Sequence, residues 1–231
     1  MSCMRKILLL SVILLLFFTI NAEITVSNAG IPGNSSREAL ARLSRDVLSE
    51  QPYAVIVLLG TNDALNPNKM VSPEEFEKNL LAIGRTLQQG GVKKVIFITP
   101  FPAVESILRK RSPKINLAVP LPMTLDEYLR KFGKAVFSAA KTLDAGVIDS
   151  FEFFATNGGA KDEKNSLFRT CSNSKADDGV HLNATGYAKF ATFIAPEIRK
   201  MVPENCHIVC LGDSITFGVH VKGAGSVEGE T

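Results

Sequence analysis

The sequence predicts an α/β fold in which helices cover both faces of a parallel β-sheet. Short apolar segments of strand length alternate along the chain with longer segments of helical periodicity. One strand candidate, residues 54–59, is apolar throughout, as is typical of a parallel strand buried on both faces. Small and polar residues follow the predicted strands, and doubly wound sheets bind their ligands beyond the carboxyl ends of the strands.

Length and composition indicate one ordinary globular domain after a short leader. The chain has 231 residues, is 45% hydrophobic and carries a formal net charge of +3, which gives no reason to expect nucleic-acid binding. At the N-terminus, Arg5 and Lys6 precede an apolar run over residues 7–20, and Ala22 follows. These features are typical of a secretory signal peptide. We therefore expect residues 1–22 to be a signal peptide and residues 23–231 to form a secreted or periplasmic domain, with membrane contact only through that segment.

Five strands and four main helices are predicted in alternating order. The strands cover residues 23–28, 54–59, 95–99, 146–149 and 207–211. The first helix starts at a capping box formed by Ser35 and Glu38, runs through Leu48 and ends before Pro52. A second helix starts at Ser72 and Pro73 and stops at residues 90–91.

A third helix begins at the Thr124–Glu127 capping pair, and a fourth spans residues 184–201. This alternation predicts a three-layer α/β/α, doubly wound parallel five-stranded sheet of the flavodoxin-like kind. Two long loops, residues 100–123 and 150–177, are candidate binding loops because long loops in a compact domain are often functional.

The cysteine pattern favours buried thiols over a metal site. We interpret Cys206 and Cys210 as small buried residues on or beside the last strand. The alternative is a disulfide, with Cys171 and Cys206 as one possible pair. No CxxC or HExxH spacing occurs, so a metal site is not predicted. The chemistry predicted below requires no organic cofactor either.

Residues suited to acyl transfer follow several strands. Ser214 comes directly after the last strand, and a serine nucleophile needs a base and a group that orients the base. Asp178 precedes His181 by three residues, a spacing that lets one turn bring the carboxylate to the imidazole. His207 lies on the same strand as Ser214, roughly 23 Å away at 3.3 Å per residue. His220 remains an alternative base, but His181 is the better candidate.

Donors for an oxyanion are found in the same set of loops. Asn62 offers a side-chain amide after the second strand, and Gly33 offers a backbone N–H beside a helix N-terminus. The backbone N–H of Ser214 is a third candidate. Each motif taken alone is common in turns, and their joint occurrence carries the interpretation.

These motifs resemble the four blocks of the SGNH (GDSL-type) hydrolase family. Residues 212–214 resemble its GDS motif, residues 28–33 its glycine block, residues 60–63 its GxND block and residues 178–181 its DxxH block. The resemblance implies the family's fold, with Ser214 as nucleophile, His181 as base and Asp178 as its partner. It also implies an oxyanion hole made by Gly33, Asn62 and Ser214.

The order of the blocks departs from the family, because the serine block comes last. We interpret this as a circular permutation, which parallel βαβ topology tolerates. The family helix between the serine strand and the glycine-block strand then has no counterpart after Ser214. One sheet face would be exposed, unless the apolar residues 8–18 are retained and pack there.

The predicted function is that of a secreted serine esterase acting on acyl esters, with acetyl esters of carbohydrates favoured. The alternative is a lysophospholipase, lipid esterase or thioesterase. Its acyl groove would be lined by six apolar side chains of the loop over residues 101–123: Ile107, Leu108, Ile115, Leu117, Val119 and Leu121. In that loop, Arg109, Lys110 and Arg111 would meet acidic sugars or phosphate. A non-enzymatic alternative is a carbohydrate-binding or interaction protein on a decayed hydrolase fold. The partner is a small-molecule or carbohydrate ester, and the oligomeric state is left open.

Overall fold

The chain folds around a five-stranded sheet in which every strand pairing is parallel. The computed structural model describes residues 23–221, so the predicted signal peptide lies outside the described residues. In spatial order the strands are β1 (Thr25–Gly30), β5 (His207–Gly212), β2 (Ala54–Leu58), β3 (Lys94–Ile98) and β4 (Gly146–Ile148). The last strand of the chain therefore lies between the first two. The predicted α/β class and five-stranded parallel sheet are confirmed.

Helices flank the sheet on both faces. They are α1 (Ser36–Ala41), α2 (Leu43–Asp46), α3 (Thr61–Leu65), α4 (Pro73–Gln89), α5 (Glu105–Arg111), α6 (Pro113–Ala118), α7 (Leu125–Leu143), α8 (Ser150–Thr156), α9 (Cys171–Ser174), α10 (Ala184–Arg199) and α11 (Ser214–Phe217), with one 3₁₀ turn at Leu48–Glu50. Helices α4 and α7 pack on one face, and α8 and α10 on the other. The two long predicted loops contain α5, α6, α8 and α9, which the sequence reasoning missed.

The predicted helix starts are present where their capping residues occur. Ser72 accepts a hydrogen bond from the backbone N–H of Glu75 at 3.2 Å. Thr124 and Glu127 form a reciprocal capping box, with the backbone N–H of Thr124 donating to the Glu127 carboxylate at 2.7 Å. Both helices therefore begin with part of their free N–H groups satisfied by side chains.

The first predicted helix is wrong in its length. It begins at the Ser35–Glu38 capping box as expected, but its regular geometry ends at Ala41, and α2 begins at Leu43. Between them the backbone of Arg42 takes φ −110° and ψ 3°. The break places the Arg42 side chain in the protein interior, where it binds polar groups of two loops.

The core consists of two apolar layers separated by the sheet. Along β2, Val55 and Val57 pack into one layer, whereas Ala54, Ile56 and Leu58 pack into the other. This follows from the two-residue period of a strand. Because both layers are apolar, β2 is hydrophobic throughout, as predicted.

An apolar groove of about 870 Å³ lies on the sheet face beside β1 and β5. Val26, Ile208 and Cys210 line its sheet side, and Ile194 of α10 lines its wall. Val26 is 40% exposed, so the helices within the described range leave this part of the face uncovered. Residues 8–18, the alternative cover suggested by the sequence, lie outside that range.

The cysteines and the helices give two smaller results. Cys171, Cys206 and Cys210 are all free thiols. Cys206 is buried as the favoured interpretation requires, whereas Cys210 is only half-buried. The disulfide alternative therefore does not occur among the described cysteines. No helix between residues 23 and 221 has the length and apolar character needed to cross a bilayer.

Candidate active site

Ser214, His181 and Asp178 form a continuous hydrogen-bonded chain at the carboxyl edge of the sheet. Ser214 is the first residue of α11, directly after β5, and its Oγ lies 2.9 Å from His181 Nε2. The other ring nitrogen of His181, Nδ1, lies 3.0 and 3.1 Å from the two carboxylate oxygens of Asp178. The loop before α10 thus brings its local Asp–His pair to a hydroxyl that is far away in sequence.

Asp178 is held in its ionised form by a short turn. Its Oδ1 accepts hydrogen bonds from the backbone N–H groups of Val180 at 3.0 Å and His181 at 3.1 Å. Burial by itself raises the pKa of this carboxyl, but the hydrogen bonds and charge of His181, with the Val180 amide, lower it to about 2. A carboxylate that stays charged at neutral pH orients the imidazole and stabilises its protonated form.

The two other histidines occupy different positions. His207 lies at the start of β5, where its ring contacts Thr25 at 3.0 Å and Glu50 at 3.0 Å. It is therefore remote from Ser214, as the strand geometry predicts. His220 lies beside the site, with its Nε2 3.6 Å from Asp178 Oδ2 and its ring centroid 5.1 Å from that of His181.

Asp213 caps the short helix that carries Ser214. Its Oδ1 accepts a hydrogen bond from the backbone N–H of Ile215 at 2.8 Å, and its Oδ2 accepts one from Asn62 at 3.2 Å. Complete burial raises the pKa of Asp213 to about 6, in spite of the hydrogen bonds from Ile215 and Asn62. Asp213 thus anchors the helix that carries Ser214, and burial makes the ionised form of its carboxyl unfavourable.

Among the predicted oxyanion donors, the backbone N–H of Gly33 is held in a turn that leaves it available. Gly33 has φ +78° in a turn where the N–H of Asn34 donates to the Ile31 carbonyl at 3.1 Å, and Pro32 precedes it. Pro followed by a residue with positive φ is the pattern of a type II turn, and glycine meets that need. Within residues 23–221, the N–H of Gly33 donates to no acceptor.

Asn62 lies in the same region, but both of its amide hydrogens are in use. Its Nδ2 donates to the backbone carbonyl of Asn34 at 3.0 Å and to Asp213 at 3.2 Å. The backbone N–H of Ser214, at the first position of α11, has no acceptor within its own helix. Asn62 must therefore give up one existing hydrogen bond before it can donate to an oxyanion.

Arg42 is a buried residue that the sequence reasoning missed. It is 7% exposed, and its guanidinium donates to the Asn34 side chain at 2.7 Å and to the Gly212 carbonyl at 3.0 Å. It also pairs with Asp46 at 3.2 Å. Arg42 therefore ties the glycine-block loop to the end of β5, two residues before Ser214. An arginine inside an otherwise amphipathic helical segment was the available signal.

The side chain of Asn28 and the glycine at position 30 hold the first strand close to α11. Asn28 donates from its side chain to the Thr216 carbonyl at 3.0 Å, and its Oδ1 accepts from the Gly30 N–H at 2.9 Å. A Cβ at Gly30 would collide with the backbone of Phe217. Glycine at this position thus permits the close approach of β1 to the serine-bearing helix.

Asp63 completes the connection between the β1 and β2 loops. It is fully buried and accepts hydrogen bonds from the backbone N–H of Ser36 at 3.1 Å and from its hydroxyl. Burial raises the pKa of Asp63, and the Ser36 hydrogen bonds oppose that change. The two adjacent residues therefore differ in role. Asn62 faces the candidate active site, whereas Asp63 anchors the start of α1.

The loop over residues 101–123 differs from the expected acyl groove. Of the six apolar side chains expected to line it, four are buried in the two core layers: Ile107, Leu108, Ile115 and Val119. Only Leu117 and Leu121 are highly exposed, at 81% and 79%. Arg109 is likewise committed, since it donates to the carbonyls of Val119 at 2.9 Å and Met123 at 2.7 Å. The predicted groove is wrong for these four residues, because they pack α5, α6 and the loop after α6 against the core.

Comparison with known proteins places this geometry in a family. The profile of the GDSL-like lipase/acylhydrolase family matches residues 19–189, more than half of the chain, and the match ends before Ser214. The uncharacterised lipoprotein YqeF of Bacillus subtilis (strain 168) is 33% identical over 86 residues, 36% of this chain and 35% of that protein. An acetylxylan esterase of Geobacillus stearothermophilus is 28% identical over 134 residues, 55% of this chain and 54% of the esterase.

The chain thus spans between about a third and about a half of the length of these relatives. A lipase/acylhydrolase from Enterococcus faecalis shares the fold, with a TM-score of 0.55 and 23% identity over 76% of this chain and 75% of that one. The family profile, supported by this common fold, decides the classification: the chain belongs to the GDSL-like lipase/acylhydrolase family.

Proposed function

We propose that this protein is a serine hydrolase of carboxylic esters, with Ser214 as nucleophile, His181 as general base and Asp178 as the group that orients the base. The observation that carries the proposal is the 2.9 Å contact between Ser214 Oγ and His181 Nε2. In the hydrolase reaction, the hydroxyl attacks the ester carbonyl as its proton passes to His181. The tetrahedral intermediate expels the alcohol, which takes that proton, and leaves an acyl-serine. Water, deprotonated by His181, then releases the acid.

The oxyanion of each tetrahedral intermediate would be stabilised by the N–H groups of Gly33 and Ser214, with the Asn62 amide as third donor. The unused N–H of Gly33 supports its part in this assignment. Asn62 would exchange its 3.2 Å bond to Asp213 for one to the oxyanion. Losing one oxyanion donor typically costs about 3–4 kcal/mol of transition-state stabilisation, which exceeds the cost of about 1–3 kcal/mol for the hydrogen bond that Asp213 loses.

The favoured substrates are acetyl esters, with a carbohydrate as the alcohol component. Similarity to the acetylxylan esterase supports this class. The burial of Ile107, Leu108, Ile115 and Val119 argues in the same direction, because these side chains are not available to line a long acyl groove. For the lipid-esterase alternative, only the exposed Leu117 and Leu121 of that loop remain available to contact an acyl chain.

We further infer that the order of the blocks is a circular permutation of the family order. Two observations support this inference. Strand β5 lies between β1 and β2, although it is last in the chain, and the family match stops at residue 189, before the serine block. Parallel strands joined by crossovers keep their neighbours when one connection is opened and the ends are joined elsewhere.

The decisive experiment compares Ser214→Ala with the wild type on p-nitrophenyl acetate and p-nitrophenyl octanoate. We expect the substitution to lower kcat by at least about 10⁴-fold while the circular dichroism spectrum stays unchanged. Ser49→Ala, at an exposed serine, is the matched control and should retain full activity. A fluorophosphonate probe should label the wild type and the control but not Ser214→Ala.

Wild-type turnover by Ser214→Ala would overturn the assignment of the nucleophile. A preference for the octanoyl over the acetyl ester would leave the nucleophile intact and replace the carbohydrate-acetyl proposal with the lipid alternative. A well-folded wild type that neither turns over esters nor reacts with the probe would favour the non-enzymatic alternative.

A further inference from the structure

We propose that Asp178, His181 and His220 form a binding site for a divalent transition metal ion, with Zn²⁺ as the preferred ion. We further propose that occupation of this site reversibly inhibits the hydrolase. The inhibitory part rests on the proposed function, whereas the binding part does not. The proposal starts from His220, an imidazole beside Asp178 and His181 for which the hydrolytic reaction has no use.

The three side chains already lie at a spacing suited to one metal ion. One ligand atom from each lies within 4.8 Å of the other two. Asp178 Oδ2 is 3.0 Å from His181 Nδ1 and 3.6 Å from His220 Nε2. Zinc bonds of about 2.0–2.2 Å in tetrahedral geometry separate neighbouring ligand atoms by roughly 3.3 Å. Small side-chain rotations therefore suffice to bring all three ligands onto one ion.

The composition of the site selects the metal. Two imidazoles and one carboxylate match the ligand sets that proteins use for Zn²⁺ with one open coordination position. Mg²⁺ prefers oxygen ligands and is a poor match. His220 is 41% exposed, so an ion reaches the site from solution without opening the core. Arg169, whose Nε lies 3.7 Å from Asp178 Oδ2, repels the metal ion and thereby limits the affinity of the site for it.

Metal binding at this position is incompatible with general base catalysis by His181. An ion on Nδ1 replaces the hydrogen bond to Asp178 that orients the ring. An ion on Nε2 takes the lone pair that must accept the Ser214 proton. In both cases the imidazole loses its function as a base, and hydrolysis stops until the metal leaves.

The binding arm of the test does not depend on activity. Isothermal titration of the Ser214→Ala protein with Zn²⁺ should show one ion per chain with micromolar affinity. Adding His220→Ala should weaken binding by at least about tenfold, since loss of even an outer-shell partner has an effect of that size. His207→Ala is the matched control, because His207 contacts Glu50 and Thr25 at the other end of β5. Mg²⁺ should give no heat of binding.

The activity arm uses the metal-free wild type. Micromolar Zn²⁺ should abolish ester hydrolysis, and EDTA should restore it. His220→Ala should hydrolyse normally without metal and require at least about tenfold more Zn²⁺ for inhibition, whereas His207→Ala should behave as the wild type. Absence of Zn²⁺ binding, or equal affinity in the His220→Ala protein, would refute the site. If no ester is hydrolysed, the titration still decides the binding proposal independently of the proposed function.

Discussion

Arg42 offers the sharpest test of how the fold supports the site. Replacing it by methionine keeps an unbranched apolar stem but removes the donors to Asn34 and Gly212 and the ion pair with Asp46. Each buried acceptor left unsatisfied costs about 1–3 kcal/mol. Asp46 is partly exposed and keeps Arg45 as a partner, so loss of its pair with Arg42 adds little. From the two acceptors, Asn34 and Gly212, we expect Arg42→Met to lower the free energy of unfolding by about 2–5 kcal/mol.

The effect on catalysis should be separable from the loss of stability. Gly212 precedes Ser214 by two residues, and the carbonyl of Asn34 holds the amide of Asn62. Movement of these groups by about 1 Å is enough to lower a catalytic rate about 100-fold. We therefore expect kcat on p-nitrophenyl acetate to fall by about that factor, at a temperature where the variant is fully folded, with little change in KM.

The neighbouring arginine supplies a control of the same chemistry. Arg45 pairs with the same Asp46 carboxylate, but its side chain is 76% exposed. Urea unfolding of Arg45→Met should give nearly wild-type stability, because exposed ion pairs contribute little. If Arg42→Met unfolded at the same urea concentration as Arg45→Met, or kept full kcat, the reasoning about the buried guanidinium would be wrong.

Two further predictions concern the residues around the serine. Because burial raises the pKa of Asp213 from 3.8 to about 6, its ionisation destabilises the native state as pH rises between those values. The stability of Asp213→Asn relative to the wild type should therefore increase by up to about 3 kcal/mol between pH 4 and pH 7 in urea unfolding. Gly30→Ala should lower stability by about 1–3 kcal/mol through its collision with Phe217. Gly133→Ala in α7 meets no atom and should stabilise by about 0.5–1 kcal/mol.

Clear outcomes would contradict each of these. A difference between Asp213→Asn and the wild type that stays constant with pH would mean that the carboxyl ionises normally in the folded protein. Equal stability of Gly30→Ala and Gly133→Ala would mean that β1 does not approach α11 as closely as the backbone of Phe217 indicates.

Local signals in the sequence predicted the framework well. Capping residues such as Ser72 and Thr124 act on N–H groups a few residues away, so their effect is visible in a short window of sequence. The approach of Asp178 to His181 is local in the same sense, because one turn joins them. The contact of His181 with Ser214 required one additional premise, namely that residues following parallel strands gather at one edge.

The missed features depend on contacts between distant segments. Arg42 breaks a helix that periodicity alone would continue, and its partners Asn34 and Gly212 lie on two different loops. The position of His220 beside Asp178 depends on the turn that follows α11, which has no sequence period. The core position of Ile107 and Ile115 was missed because short helices in a long loop give weak periodic signals.

The placement of the serine explains why its late position in the chain does not disturb the site. The hydrogen bonds that hold Asp213 and Ser214 come from Asn62 and His181, on loops that precede or follow different strands. The Asn62 contact depends on β5 lying beside β2, and the His181 contact depends on the segment between β4 and β5, which carries His181 and α10. Neither contact depends on a chain connection between β5 and β1, so the geometry of the site does not require the serine to come first in the chain. This predicts that moving the termini to another surface connection, with the segment between β4 and β5 left intact, would preserve the His181–Ser214 contact.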